Sequence, residues 1–215
     1  MRLALAVTSA AVLLTTVLTP ATAHAAQEVP LTDAIAALTV ATESRDGYDR
    51  SLFPHWVDGD RDGCHTRKEV LIDEATTFPE VGPRCRVTGG EWESYYDGQT
   101  IDASRALDVD HMVPLAEAWD SGASDWTTAR RRDYANDLDE KVALVAVSAR
   151  SNRSKADQDP STWLPPLAEA HCRYVTEWVT VKTRWGLSVD ERERDTLTEV
   201  AATCPDALVH TRPAP

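Results

Sequence analysis

The strongest hydrophobic periodicity lies in the last third of the chain, where apolar and aromatic residues recur every three or four positions over 167–185. This spacing predicts an amphipathic helix, and Gly186 is a residue type that commonly ends one. Ser188 and Glu191 match a capping box, which predicts the start of a second helix. The pattern therefore predicts a C-terminal helix hairpin over about residues 167–204.

Shorter elements are predicted upstream of this hairpin. The almost wholly apolar run 142–147 is typical of a buried strand. Aromatic content predicts strand structure at 87–96, and the turn signal Asp97-Gly98 before Thr100-Ile101 indicates a hairpin or meander. An N-terminal helix, a strand-rich middle and the hairpin together predict a single α+β domain. The remaining elements are expected as helices at about 32–42, 69–75, 115–119, 126–134 and 148–155, and as a strand at about 106–113.

The start of the chain has the pattern of a secretory signal peptide. Arg2 is basic, 3–18 is mainly apolar, and Ala23-His24-Ala25 is a small-residue cleavage site. We therefore predict that residues 1–25 are removed and that 26–215 form one mature domain, secreted to the extracellular space. Since no second apolar span follows in the sequence, we expect a soluble monomer without membrane association.

The four cysteines all lie in the mature part, and an even number in an exported chain predicts two disulfides. Cys172 and Cys204 lie 14 and 16 residues from the two ends of the predicted hairpin turn. At about 1.5 Å per residue, they are level on an antiparallel helix pair. We therefore predict Cys172–Cys204, and Cys64–Cys85 follows by elimination.

The formal net charge is −13, which is unfavourable for non-specific binding to nucleic acid. Removal of Arg2 with the signal peptide makes the mature chain one unit more acidic. A nuclease function is compatible with this charge if the acids lie away from the cleft or if divalent cations offset them.

Asp110 and His111 stand on a short predicted strand that ends before Pro114, and Asn152 stands near a predicted helix start. The oxygens of Asp110 and Asn152 are hard ligands of the kind Mg²⁺ prefers, and the adjacent imidazole suits a general base. Both Asp110 and His111 can face one site only where the strand bends or ends. In the alternative interpretation, Asp110 satisfies a structural His111 and Asn152 is merely an N-cap.

Three segments extend this pattern: ALDVDHMVPLAEAWDSGA at 106–123, YAND at 134–137, and VSARSNRSKADQDPSTWLPP at 147–166. Together they resemble the HNH (His-Me finger, ββα-metal) endonucleases, and more closely the exported bacterial HNH proteins. The resemblance covers about residues 60–166 and implies a ββα-metal core. Many relatives have a zinc knuckle, but this chain lacks its residues, so we infer no structural zinc.

The resemblance implies a role for each matched residue. Asp110 and Asn152 would hold Mg²⁺ or Mn²⁺, His111 would be the general base, and Asn136 would fix the loop that orients the histidine. Arg153 and Lys155 would contact phosphate. Arg67, within the CHTRKEVL segment at 64–71, is a further candidate for phosphate contact or for buttressing the site.

The segment 58–69 also fits the calcium-loop pattern D-x-D-x-D-G-x5-E, with Gly63 at the sharp turn. His65 occupies a position that is usually aliphatic, and Pro54 disfavours an entering helix. A lone calcium loop, a buttress of the active site and a solvated acidic turn all remain open. The candidate calcium ligands are Asp58, Asp60, Asp62 and Glu69.

These features predict a secreted, metal-dependent endonuclease that hydrolyses phosphodiester bonds of DNA, with RNA as a second candidate substrate. No recognition helix or separate DNA-binding module is visible in the sequence, so low sequence specificity is expected. The alternative is a non-enzymatic, calcium-stabilised secreted binding protein with an inactive HNH-like core.

Overall fold

The computed structural model describes residues 27–215. The expected signal peptide, 1–25, lies outside the described residues. Within 27–215, helices and short strands are mixed, and no helix combines the length and apolar character needed to cross a membrane.

All the predicted helices are present, with ends shifted by a few residues, and the strands are shorter than expected. The helices are α1 (Leu31–Ala37), α2 (Thr66–Asp73), α3 (Leu115–Asp120), α4 (Thr128–Ala135), α5 (Ala149–Lys155), α6 (His171–Trp185) and α7 (Glu191–Ala201). The strands are β1 (Gln27–Pro30), β2 (Glu80–Gly82), β3 (Arg86–Thr88), β4 (Trp92–Ser94), β5 (Gln99–Ile101), β6 (Leu107–His111), β7 (Leu144–Ser148) and β8 (Leu208–Thr211).

The described strands form four two-stranded antiparallel sheets: β1–β8, β2–β3, β4–β5 and β6–β7. The hairpin expected around Asp97-Gly98 is present as the β4–β5 pair. The strand structure expected over 87–96 is divided, because Gly89 and Gly90 separate β3 from β4. Both glycines have positive φ, 66° and 88°, a conformation that interrupts a strand. In the β6–β7 pair Asp110 lies opposite Val145, and α5 begins directly after β7.

The disulfide-linked helix hairpin is confirmed. Cys172–Cys204 joins α6 to the segment directly after α7, and Cys64–Cys85 closes the upstream loop. Gly186 ends α6 in the left-handed conformation, as expected. The capping box was wrong: Asp190 caps α7 by accepting a hydrogen bond from the Glu193 N–H. The hydroxyl of Ser188 instead donates to the Ser121 carbonyl, 3.1 Å away.

Two apolar clusters make up the core of the described residues. The larger surrounds α6, whose Tyr174 and Trp178 are fully buried. The smaller lies between α2 and the β6–β7 pair and includes Leu107 and Val109. Met112, the first residue after β6, belongs to the larger cluster. Asp110 and His111 therefore lie where the two clusters meet.

Candidate active site

Residues from the end of β6 and from α5 line one cleft of about 330 Å³. Asp110 and His111 come from the strand, and Asn152 and Arg153 come from the helix. Arg50, which sequence reasoning did not single out, lies in the same lining. The structure thus brings the predicted base and both predicted metal ligands to a single cavity.

Consecutive residues reach this cleft because β6 ends there. His111 is the last residue of the strand, and Pro114 directly precedes α3. The Met112 N–H still donates to the Ala143 carbonyl at 2.9 Å, beyond the named strand pairing. A strand end relaxes the strict alternation of side chains, so Asp110 and His111 can face the same space.

The Asp110 carboxylate is buried and held through one oxygen. Its Oδ2 accepts hydrogen bonds from the Tyr96 hydroxyl at 2.7 Å and from the Lys155 ammonium at 2.5 Å. Burial raises the pKa of Asp110, while the neighbouring Lys155 charge opposes that rise. Oδ1 has no hydrogen-bond partner within residues 27–215 and is therefore the oxygen available to a metal ion.

Lys155 lies behind Asp110, with none of its side chain exposed. Its ammonium also donates to the carbonyl oxygens of His111 and Met112, at 2.9 and 2.8 Å. Burial lowers the pKa of Lys155, and the Asp110 carboxylate counteracts this. All the acceptors around this ammonium are internal, so it positions Asp110 and the end of β6. The structure does not place it where a phosphate could contact it.

His111 has a defined tautomer. Its Nε2 lies 3.0 Å from the Ala135 carbonyl, and because a carbonyl can only accept, Nε2 carries the proton and Nδ1 the lone pair. The Trp56 ring stacks on the imidazole at 5.2 Å between centroids, and the His55 ring meets it edge-on at 6.3 Å. Burial lowers the pKa of His111 to about 3, with smaller effects from nearby cations. The ring is therefore neutral at neutral pH.

Asn136 fixes the segment that carries Trp56. Its Oδ1 accepts from the Val57 N–H at 3.0 Å and from the Thr66 hydroxyl at 2.8 Å, and its Nδ2 donates to the Pro54 carbonyl at 2.8 Å. These bonds hold the chain on both sides of Trp56, which has a left-handed φ of 58°. Since Ala135 accepts from His111, this region holds the histidine from two sides.

Asn152 is not the N-cap of its helix, because Ser148 caps α5. The Asn152 amide nitrogen instead donates to Asp108 Oδ2 at 3.3 Å, and Arg153 Nε lies 3.4 Å from the same oxygen. The Asn152 amide oxygen has no hydrogen-bond partner in the described chain. Asp108 was missed in the sequence, although its position two residues before Asp110 places both on one face of β6.

Arg67 lies outside the cleft lining. Its guanidinium donates to the Leu107 carbonyl at 2.9 Å, at the start of β6. Of its two expected roles, this contact agrees with the buttress and offers no direct path to a phosphate.

In the loop 58–69, acidic side chains converge. The carboxylate oxygens of Asp58, Asp60 and Asp62 lie within 4.8 Å of one another, and Glu69 reaches within the same distance of Asp62. Gly63 has a φ of 96°, and its N–H donates to Asp58. One Glu69 oxygen, Oε1, is buried without a hydrogen-bond partner. Burial raises the pKa of Glu69, and the three aspartates raise it further.

Comparison with known proteins finds a family match and a relative for this chain. Residues 71–200 match the family described as the C-terminal domain of GmrSD restriction endonucleases. The chain is also similar to a protein of Arthroderma benhamiae described as an uncharacterized secreted protein. The two are 42% identical over 171 residues, which is 79% of this chain and 82% of the relative. No solved structure matches the chain.

Proposed function

Because the chain belongs to the family of the C-terminal domain of GmrSD restriction endonucleases, we propose that it is a secreted, metal-dependent endonuclease of the HNH type. One observation carries the proposal: the cleft brings together a neutral histidine with a free Nδ1 and two unpartnered side-chain oxygens, of Asp110 and Asn152. Secretion is supported by the fungal relative.

The order of elements supports a ββα-metal core. The antiparallel strands β6 and β7 are followed directly by α5, and Asp110 and Asn152 stand on the first strand and on the helix. Their free oxygens are hard donors, which fit Mg²⁺ or Mn²⁺. Asp108, bonded to Asn152, would orient that ligand. When bound, such an ion would neutralise charge on the phosphate and on the departing 3′ oxygen.

The chain's own residues account for proton transfer. His111 Nδ1 takes a proton from a water molecule as its oxygen bonds to phosphorus, and the bond to the 3′ oxygen breaks on the opposite side. The products are a 5′-phosphate and a 3′ hydroxyl, which takes its proton from solvent. Trp56 covers one face of the imidazole, and Ala135 keeps the N–H on Nε2, so the lone pair faces the reacting water.

We propose DNA as the substrate, with RNA as a second candidate, and little sequence preference. Arg153 lies on the cleft with 75% of its side chain exposed, which suits contact with a backbone phosphate. Such contacts position a strand without reading its bases.

The test is cleavage of supercoiled plasmid and of total RNA by the mature protein with Mg²⁺, Mn²⁺, Ca²⁺ or EDTA. We expect cleavage with Mg²⁺ or Mn²⁺ and none with EDTA. His111→Ala should lower kcat by about 10²–10⁴-fold, the usual contribution of a positioned base. His210→Ala is the matched control, because His210 is an exposed residue of β8 outside the cleft.

Activity that survives His111→Ala would remove His111 as the base. No cleavage with any cation, by folded protein with both disulfides formed, would instead favour the non-enzymatic, calcium-stabilised binding protein.

We also propose that the loop 58–69 binds Ca²⁺. The buried, unpartnered Glu69 oxygen beside three aspartates favours this function, because a cation would satisfy it and offset their repulsion. Ca²⁺ at about a hundredfold excess over Kd should then stabilise the fold by about 2.7 kcal/mol. Thermal unfolding with Ca²⁺ or EDTA measures this.

Glu69→Gln should abolish the calcium effect, whereas the exposed Glu169→Gln should keep it. An unfolding midpoint that does not respond to Ca²⁺ in the parent protein would contradict the calcium site and leave the nuclease proposal unaffected.

A further inference from the structure

Arg50 stands on a rigid turn at the edge of the cleft. It begins the 3-10 turn Arg50–Leu52, which Asp49 caps by accepting from the Ser51 N–H at 2.8 Å. Phe53, directly after the turn, is fully buried, and the Leu52 carbonyl accepts from Arg131 at 3.2 Å. The backbone is thus anchored, while the Arg50 side chain is exposed and lines the cavity with His111 and Asn152.

The charge of Arg50 is not neutralised. Lys155 is paired with Asp110, and Arg153 lies 3.4 Å from Asp108. Asp157, also on the cleft lining, pairs with Arg45 at 3.7 Å. Arg50 forms no ion pair with any described carboxylate, although the chain carries a net charge of −13. Arg50 and His111 line the same cavity, which places the Arg50 charge near the base.

We propose that Arg50 binds a phosphate of the substrate strand at this cleft, an assignment that rests on the proposed nuclease function. A guanidinium offers two parallel N–H donors that match two phosphate oxygens, and it stays charged at any working pH. Arg50 lies before the family match at 71–200. The proposed substrate site therefore includes a residue from outside that match.

A purely structural role makes a different prediction. Arg50 also lies beside Tyr48: burial raises the pKa of that phenol, and the Arg50 charge lowers it. If Arg50 served only to hold Tyr48, then Tyr48→Phe would reproduce the effect of removing the guanidinium. If Arg50 binds phosphate, Tyr48→Phe leaves binding unchanged.

The experiment uses the His111→Ala protein, which should bind substrate without cutting it. Fluorescence anisotropy with a labelled oligonucleotide and Mg²⁺ gives Kd over a salt series. Arg50→Ala should weaken binding about tenfold and reduce the slope of log affinity against log salt by about 0.7–0.9, the value for one lost phosphate contact. Arg50→Lys keeps the charge and should retain the slope, with weaker binding than the parent.

The matched control is Arg192→Ala, another exposed arginine without an ion pair in the described chain, on α7 and outside the cleft. It should leave both affinity and slope unchanged. Equal affinity and slope for Arg50→Ala and its parent would overturn the assignment of Arg50 alone. A wild-type protein that cleaves nothing, together with a His111→Ala protein that binds nothing, would instead contradict the nuclease function and Arg50's role with it.

Discussion

Lys155 shows how one residue can have a different task from the one its motif implies. The sequence motif predicts that Lys155 contacts phosphate. In the structure its ammonium instead donates to Asp110 and to two backbone carbonyl oxygens. A carboxylate as buried as Asp110 is costly unless a cation and hydrogen-bond donors accompany it. Lys155 and Tyr96 supply both to one carboxylate oxygen and leave the other free. The ion pair therefore holds Asp110 in place through Oδ2 and leaves its Oδ1 free for the proposed metal ion.

Lys155→Met should destabilise the protein by about 3–5 kcal/mol, because it leaves the Asp110 charge buried without its cation. Adding Asp110→Asn to Lys155→Met should recover part of that loss, because the uncompensated charge is then gone. Urea unfolding measures both.

The matched control is Arg153→Met on the same helix, where an exposed pair contributes below about 1 kcal/mol. A double variant as unstable as Lys155→Met alone would show that packing, and not the unpaired carboxylate, causes the loss.

Among the elements, those with a strong local pattern could be predicted from the sequence. The periodicity of α6 and its glycine end were sufficient, and helical rise alone paired Cys172 with Cys204. The β1–β8 pair was missed, because its strands are four residues each and Gln27 lies opposite Thr211, far away in sequence. Nothing local signals such a partner.

The difference between local sequence patterns and long-range contacts also decides which residues of the site could be predicted. Asp110, His111 and Asn152 could be placed together because β6, β7 and α5 give the motif a simple local frame. Arg50 and Trp56 could not, because they come from a segment without regular strand or helix pairing to that frame. Asn136 brings that segment to the histidine through bonds on either side of Trp56, and these tertiary contacts leave no periodic signal in the sequence.

At the scale of the whole molecule, the acidic chain holds several carboxyl groups in buried or half-buried positions. Burial raises the pKa of Glu74 to about 7 and that of Glu193 to about 7. It raises the pKa of Glu43 to about 8, with Glu117 adding to the rise. The ordinary value is 4.5, so between about pH 4.5 and 8 the unfolded chain holds fewer protons at these sites than the folded one. Their contribution to stability is present below pH 4.5 and is lost as pH rises through these pKa values.

The lowered pKa of His111 acts in the opposite direction below about pH 6.5, but the three raised carboxyl groups outweigh this one imidazole. We therefore expect the free energy of unfolding to fall from pH 5 to pH 8, and Glu74 allows its own contribution to that fall to be measured. Its Oε2 accepts from the Ala146 N–H at 2.7 Å, joining the end of α2 to β7, and a glutamine can keep this bond. Glu74→Gln should stabilise the protein by about 2 kcal/mol at pH 8, where the wild type bears a buried charge, and by much less at pH 5.

Urea unfolding at the two pH values measures the difference, and the exposed Glu80→Gln is the matched control, with little change at either. Equal gains for Glu74→Gln at pH 5 and pH 8 would mean that Glu74 is already ionised in the folded protein at pH 5. In that case the packing of α2 against β7 would not raise its pKa, and the fall in stability would have to come from other carboxyl groups with raised pKa values, such as Glu43 and Glu193.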